Sequence, residues 1–136
     1  MAPHNAAQAP PANADETLVR DYLAAMEARD LEKARGMLAP GFAMVFPGGA
    51  VFEQLEALLS WSQPRYRFVR KRIDRIERAG QVGAISVVFC MGGLSGEWPD
   101  GTPFSGIRFI DRFELVDGRL TRQEVWNDMA EHRGSA

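Results

Sequence analysis

From Asp15 onward, apolar residues recur at Leu18, Tyr22, Ala25 and Met26, while Glu16, Arg20 and Glu27 fall on the opposite side. That spacing predicts an amphipathic helix. Asn13 or Asp15 can cap its start, and Asn13 stands at capping-box spacing from Glu16. Asp30 is a second cap, before a short helix expected to bury Leu31, Ala34 and Leu38 and to stop at Pro40 and Gly41. A short strand over Phe42 to Phe46 ends at Pro47, Gly48 and Gly49. Phe52, Leu55, Leu58 and Leu59 then recur at helical spacing up to Pro64, with Trp61 near the end. Beyond Pro64 the pattern is β-like: Tyr66 to Ile76, Val82 to Leu94, Gly106 to Val116 and Leu120 to Asn127. Asp117-Gly118 predicts a tight hairpin between the last two. Helices first and strands last imply an α+β domain with three N-terminal helices on one face of a curved antiparallel sheet.

Residues 1–14, rich in Ala, Pro, Asn and Gln, carry no periodicity that buries a face and are expected to be a disordered tail. The domain is placed at 15–130, with a C-terminal tail at 131–136. At 136 residues and 46% apolar, the chain has material for one core. Its formal charge of −2 gives no general attraction to nucleic acid or anionic membrane. No apolar run approaches the ~18 residues of a membrane span, and the N-terminus shows no secretory signal, so a cytoplasmic location is expected. The single cysteine, Cys90, lies in an apolar run and is expected in the core.

Several segments resemble the SnoaL-like branch of the nuclear-transport-factor-2-like superfamily: residues 22–30 (YLAAMEARD), 37–42 (MLAPGF) and 110–120 (IDRFELVDGRL). The resemblance spans about residues 15 to 130. It implies a cone-shaped pocket between the sheet and the first helices, and a homodimer through the outer sheet face. The superfold hosts enzymes, ligand binders and interaction modules, so it does not by itself imply one activity.

Residues 106–116 alternate by parity. Ile107, Phe109, Asp111, Phe113 and Leu115 share one face; Arg108, Ile110, Arg112 and Glu114 share the other. A lone carboxylate in an apolar row is disfavoured in its charged form by desolvation. There is local similarity to ketosteroid isomerase, which implies Asp111 as a protonated acid and Tyr22 as its partner. The position matching that enzyme's base is Phe46. Scytalone-dehydratase chemistry needs pocket histidines, and none occurs between Asn5 and Glu131. The Asp-Arg-Asp set of limonene epoxide hydrolase would fall on Val125 and on the uncharged stretch from Val82 to Leu94.

The alternative for Asp111 is a carboxylate paired with a nearby arginine or backbone donor, and for Tyr22 an ordinary core tyrosine. Phe46, Trp61, Phe89, Met91, Phe109 and Gln123 are candidate substrate-binding walls, each with a plain core role as its alternative. Residues 65–78 hold seven cations, interleaved with Tyr66 and Phe68, but the acidic chain favours a solvated or interface-forming strand over nucleic-acid binding. Gly92, Gly93 and Gly96 lack what a phosphate loop requires, and no metal-ligand cluster or cofactor motif is present. The expected function is a pocket for a small, largely apolar carbonyl or hydroxylated ring compound, with isomerase or cyclase chemistry as the implied activity. The alternative is a non-catalytic dimeric interaction module of the same fold.

Overall fold

In the computed structural model, which describes residues 14–133, helix α1 (Ala14–Glu27) buries Val19, Tyr22, Leu23, Ala25 and Met26. Helix α2 (Leu31–Arg35) follows, its first turn capped by Asp30, whose carboxylate accepts from the Lys33 amide at 3.2 Å. Next come β1 (Leu38–Phe46), β2 (Ala50–Phe52) and α3 (Leu55–Ser62), then the long strands β3 (Phe68–Val82), β4 (Ile85–Glu97), β5 (Pro103–Val116) and β6 (Arg119–Asn127), and finally α4 (Met129–Arg133). The strands form one curved, open sheet in the order β2-β1-β6-β5-β4-β3. β1 runs parallel to β6; every other pairing is antiparallel. Tyr22 on α1 packs edge-on against Phe42 and Phe113, each at 6.1 Å between ring centres, which seats the helix on the concave face.

The curvature follows from two features of the β3–β4 pair. β3 carries bulges between Ile73 and Arg75 and between Arg78 and Gly80, and a bulge bends and twists its strand. Opposite it, a Cβ at Gly92 would lie 1.9 Å from the Arg72 carbonyl oxygen, and one at Gly96 would lie 2.0 Å from that of Phe68. These glycines let the β3 backbone press onto β4. At the β5–β6 turn, Asp117 and Gly118 both have positive φ (52° and 73°), as the expected hairpin requires.

Several boundaries differ from the sequence expectation. Leu38 is not in the second helix but in β1, paired with Leu120 of β6, and Pro40-Gly41 falls at a register irregularity inside that strand. Cross-strand pairing outweighs the local helical spacing there. Phe52 ends β2 rather than starting α3. Met129–Arg133 is helical, overlapping the segment expected to be a tail. Asn13 and the rest of residues 1–13, expected as a disordered tail, lie outside the described residues. Among the described residues no helix is long and apolar enough to cross a membrane.

Candidate functional site

The alternation of β5 places Asp111 at the centre of the cone. Ile107, Phe109, Asp111, Phe113 and Leu115 are at most 2% exposed. In register, Asp111 lies between Cys90 of β4 and Val125 of β6, both buried. Its partner comes from two strands away. On β3, Val69, Lys71 and Ile73 share a parity, and Lys71 pairs with the buried Leu94. Its side chain runs across the concave face, and Nζ donates to Asp111 Oδ2. The ammonium also sits 4.8 Å from the centre of the Phe109 ring. The Lys71 backbone N–H, on the open side of this edge strand, donates to Glu27 Oε1 at 2.9 Å. The end of α1 is thereby tied to the strand that supplies the cation.

Asp111 Oδ1 is buried without a hydrogen-bond partner, an arrangement that is costly unless a proton, water or ligand satisfies it. Burial raises the Asp111 pKa above the ordinary carboxyl value; Lys71, and then the neighbouring Gln123 amide, oppose that rise without cancelling it. The same setting pushes the Tyr22 phenol up, by burial first and by Asp111 second. It also pushes the Cys90 thiol up to about 11, again mainly by burial. The site therefore holds one cation, one carboxyl group biased toward its neutral form, and two neutral groups. It can donate hydrogen bonds to an oxygen that gains negative charge.

Two adjoining cavities share Phe46, Tyr66, Val69 and Lys71. The inner one, beside Tyr22 and Gln123, has a volume of about 100 Å³. The larger, about 350 Å³, is walled by Phe46, Trp61, Phe109 and Val125 and by Met129 and Ala130 of α4. Phe46, Phe52 and Trp61 form an aromatic group with ring centres 5.4–6.1 Å apart, and the Arg65 guanidinium lies 3.9 Å over Trp61.

The structure brings Tyr22 and Gln123 to the inner cavity and Phe46, Trp61 and Phe109 to the larger one, while Asp111 is fully buried behind Lys71 and lines neither. Tyr22 does not bond Asp111; its hydroxyl lies 3.9 Å from Met44 Sδ. Phe89 and Met91 are to be corrected as walls: Cys90 faces inward beside Asp111, so its two neighbours point to the outer face, where Met91 accepts from Arg75 at 3.3 Å. The arginine-paired alternative for Asp111 is met by a lysine instead. Lys71 was hidden among arginines in the sequence, although its position between Val69 and Ile73 at i±2 was a usable signal. Of those arginines, Arg67, Arg72, Arg75 and Arg78 each approach a carboxylate, at 2.8–3.9 Å. Among the described residues no group of three or more His, Cys, Asp or Glu side chains could hold a metal.

The helices on a curved six-stranded sheet define a fold of the nuclear-transport-factor-2-like kind. The SnoaL-like domain family matches residues 19–123, and the chain belongs to that family. No curated protein sequence matches it. Among solved structures, it is similar to a nuclear-transport-factor-2-like protein of unknown function from Burkholderia pseudomallei K96243 (TM-score 0.74, 18% identity, covering 88% of this chain and 94% of that one). It is also similar to TerC co-crystallised with polyporic acid (0.72, 19%, 89% and 96%) and to a candidate SnoaL-like polyketide cyclase from Jannaschia sp. CCS1 (0.69, 16%, 92% and 92%). At these identities the likeness establishes the fold.

Proposed function

We propose that the protein binds a small, largely apolar carbonyl or hydroxylated ring compound in the larger cavity, its oxygen directed at the Lys71–Asp111 pair. The observation that carries this reading is an ion pair whose carboxylate is fully buried with one oxygen unpartnered and whose lysine lines an aromatic-walled cavity. At about 350 Å³ that cavity lies within the ~300–1,000 Å³ usual for small-molecule sites, whereas the inner one does not. A relative of the same fold that takes polyporic acid into its crystals supports the ligand class. Among activities, cyclase-like or isomerase-like chemistry would use Lys71 and Asp111 to hold an enolate oxygen. Isomerisation of the ketosteroid type would lack its base, since Phe46 occupies that place.

Native mass spectrometry of the purified protein, followed by titration with aryl ketones and phenols, tests the proposal. A retained molecule, or saturable binding weakened by Trp61→Ala and Phe109→Ala, is expected. A chain that comes bare and binds none of them would remove the ligand reading.

The second reading, an interaction module, is favoured by the outer sheet face. Ile110 and Trp126 are register partners there, 42% and 53% exposed, and we infer a homodimer through this face. The contact first expected, Arg108 or Arg112 to Glu114 of a second copy, is pre-empted within the chain. Arg112 bonds its own Glu114 (2.5 Å) and Glu124 (3.3 Å), and Arg108 bonds Asp128 (2.5 Å). Ile110 and Trp126 would supply the apolar centre instead.

A further inference from the structure

We propose that Lys71 is a covalent attachment point, its amine forming a reversible imine with an aldehyde or ketone in the larger cavity while Asp111 moves the protons. This rests on the pocket reading above and narrows its ligand to a reactive carbonyl. The chain has only two lysines, Lys33 and Lys71, against fourteen arginines. Lys33 is exposed on α2. Lys71 lines both cavities, with its side chain 22% exposed and its ammonium bonded to a fully buried carboxylate. An arginine could pair with Asp111 as well, but it does not release its proton; a lysine can.

The chemistry balances within these two groups and the ligand. The Lys71 ammonium passes a proton to Asp111, freeing the nitrogen lone pair. Nitrogen attacks the carbonyl carbon, the C–N bond forms as the π pair moves to oxygen, and a proton passes from nitrogen to that oxygen, giving a carbinolamine. The Asp111 acid then protonates the hydroxyl, the C–O bond breaks, water leaves and the nitrogen pair closes the C=N bond. Ammonium and carbonyl have become iminium and water, with nothing oxidised or reduced. The iminium keeps one positive charge beside the regenerated carboxylate, so the buried anion has a counter-charge in both the free and the adduct state. Phe46, Trp61 and Phe109 line the space that would take the carbonyl's apolar substituent.

Benzaldehyde with sodium cyanoborohydride, which traps an iminium as a secondary amine, tests this on the full chain, with labelled sites read by peptide mass spectrometry. Benzylation of Lys71 should exceed that of Lys33 by about tenfold or more, because the cavity holds the aldehyde against the amine. Lys71→Arg keeps the charge and removes the nucleophile, so that site should go unlabelled; Asp111→Asn should slow labelling at Lys71. Labelling of Lys33 equal to or above that of Lys71 would overturn the proposal. Benzyl alcohol, which cannot form an imine, is followed in parallel by ligand-observed NMR. Alcohol binding without Lys71 labelling overturns the imine and leaves the pocket reading standing; absence of both overturns the two together.

Discussion

Neighbouring residues on β5 hold two clusters of opposite charge that differ in almost everything but sequence distance. Asp111 points into the cone and meets Lys71; Arg112 points outward and meets Glu114 and Glu124. The inner carboxyl is fully buried and pushed toward its neutral form. The outer carboxylates keep 23% of their side-chain surface exposed, and their shared Arg112 guanidinium is held still more firmly charged. Ionic contact alone therefore does not decide what a charged group does. Solvent does: where water is excluded, charge is costly and a proton becomes mobile; where water remains, the same contact is a weak surface pair.

The largest expected effect is a substitution that isolates the inner carboxyl. Lys71→Met should cost about 3 kcal/mol at neutral pH, the scale for breaking a buried pair from one side, and the loss should shrink in acid as Asp111 takes up a proton. Arg112→Met on the outer cluster should cost under about 1 kcal/mol. Urea melts of both variants at two pH values make the comparison, and equal losses would dissolve the distinction between the faces.

Next comes association through the outer face. Ile110→Asp should weaken the proposed dimer by about a hundredfold, or ~2.7 kcal/mol, while leaving the monomer's melt nearly unchanged, because Ile110 is already exposed. Light scattering over a concentration series reads this. Wild-type particles of single-chain mass at high micromolar concentration would contradict it.

Asp111→Asn should change neutral-pH stability by no more than about 1 kcal/mol, since it removes the costly buried charge and leaves behind a lysine that is partly exposed. Its pH dependence is the sharper signal. A carboxyl whose folded pKa is raised contributes stability that is fully present below the unfolded value near 3.9 and is lost as pH rises through the folded one. The groups facing it, Lys71, Gln123, Tyr22 and Cys90, do not reverse that sign. Melts from acid to neutral pH should therefore show a decline in wild type that Asp111→Asn lacks.

The smallest effect concerns Cys90, which is fully buried and has its thiol pushed up to about 11. It should resist iodoacetamide in the native protein and react on unfolding. Rapid native alkylation would mean that the inner end of the cone is open to water.

What was legible in the sequence depended on whether the signal was local. The β5 alternation and the Asp117-Gly118 turn need only nearest neighbours, and both hold in the structure. The face of β4 could not be read the same way: residues 87–91 are all apolar, so only pairing with Asp111 reveals that Cys90 points in and Phe89 and Met91 point out. Lys71 depended on a longer chain of causes. Its parity with Val69 and Ile73 is local, but its partner is not: the Gly92 and Gly96 contacts press β3 onto β4, and the amine then spans the width of β4 to reach Asp111. The helix at Met129–Arg133 had too few residues to register as a periodic pattern.

The claim that burial, more than the ion pair, governs Asp111 can be measured at the group itself by carbon-detected NMR titration of its side-chain carboxyl. A midpoint clearly above the ordinary aspartate value of about 3.9 is the predicted result, and one below that value would show that Lys71 dominates and that the inner pair is a plain salt bridge.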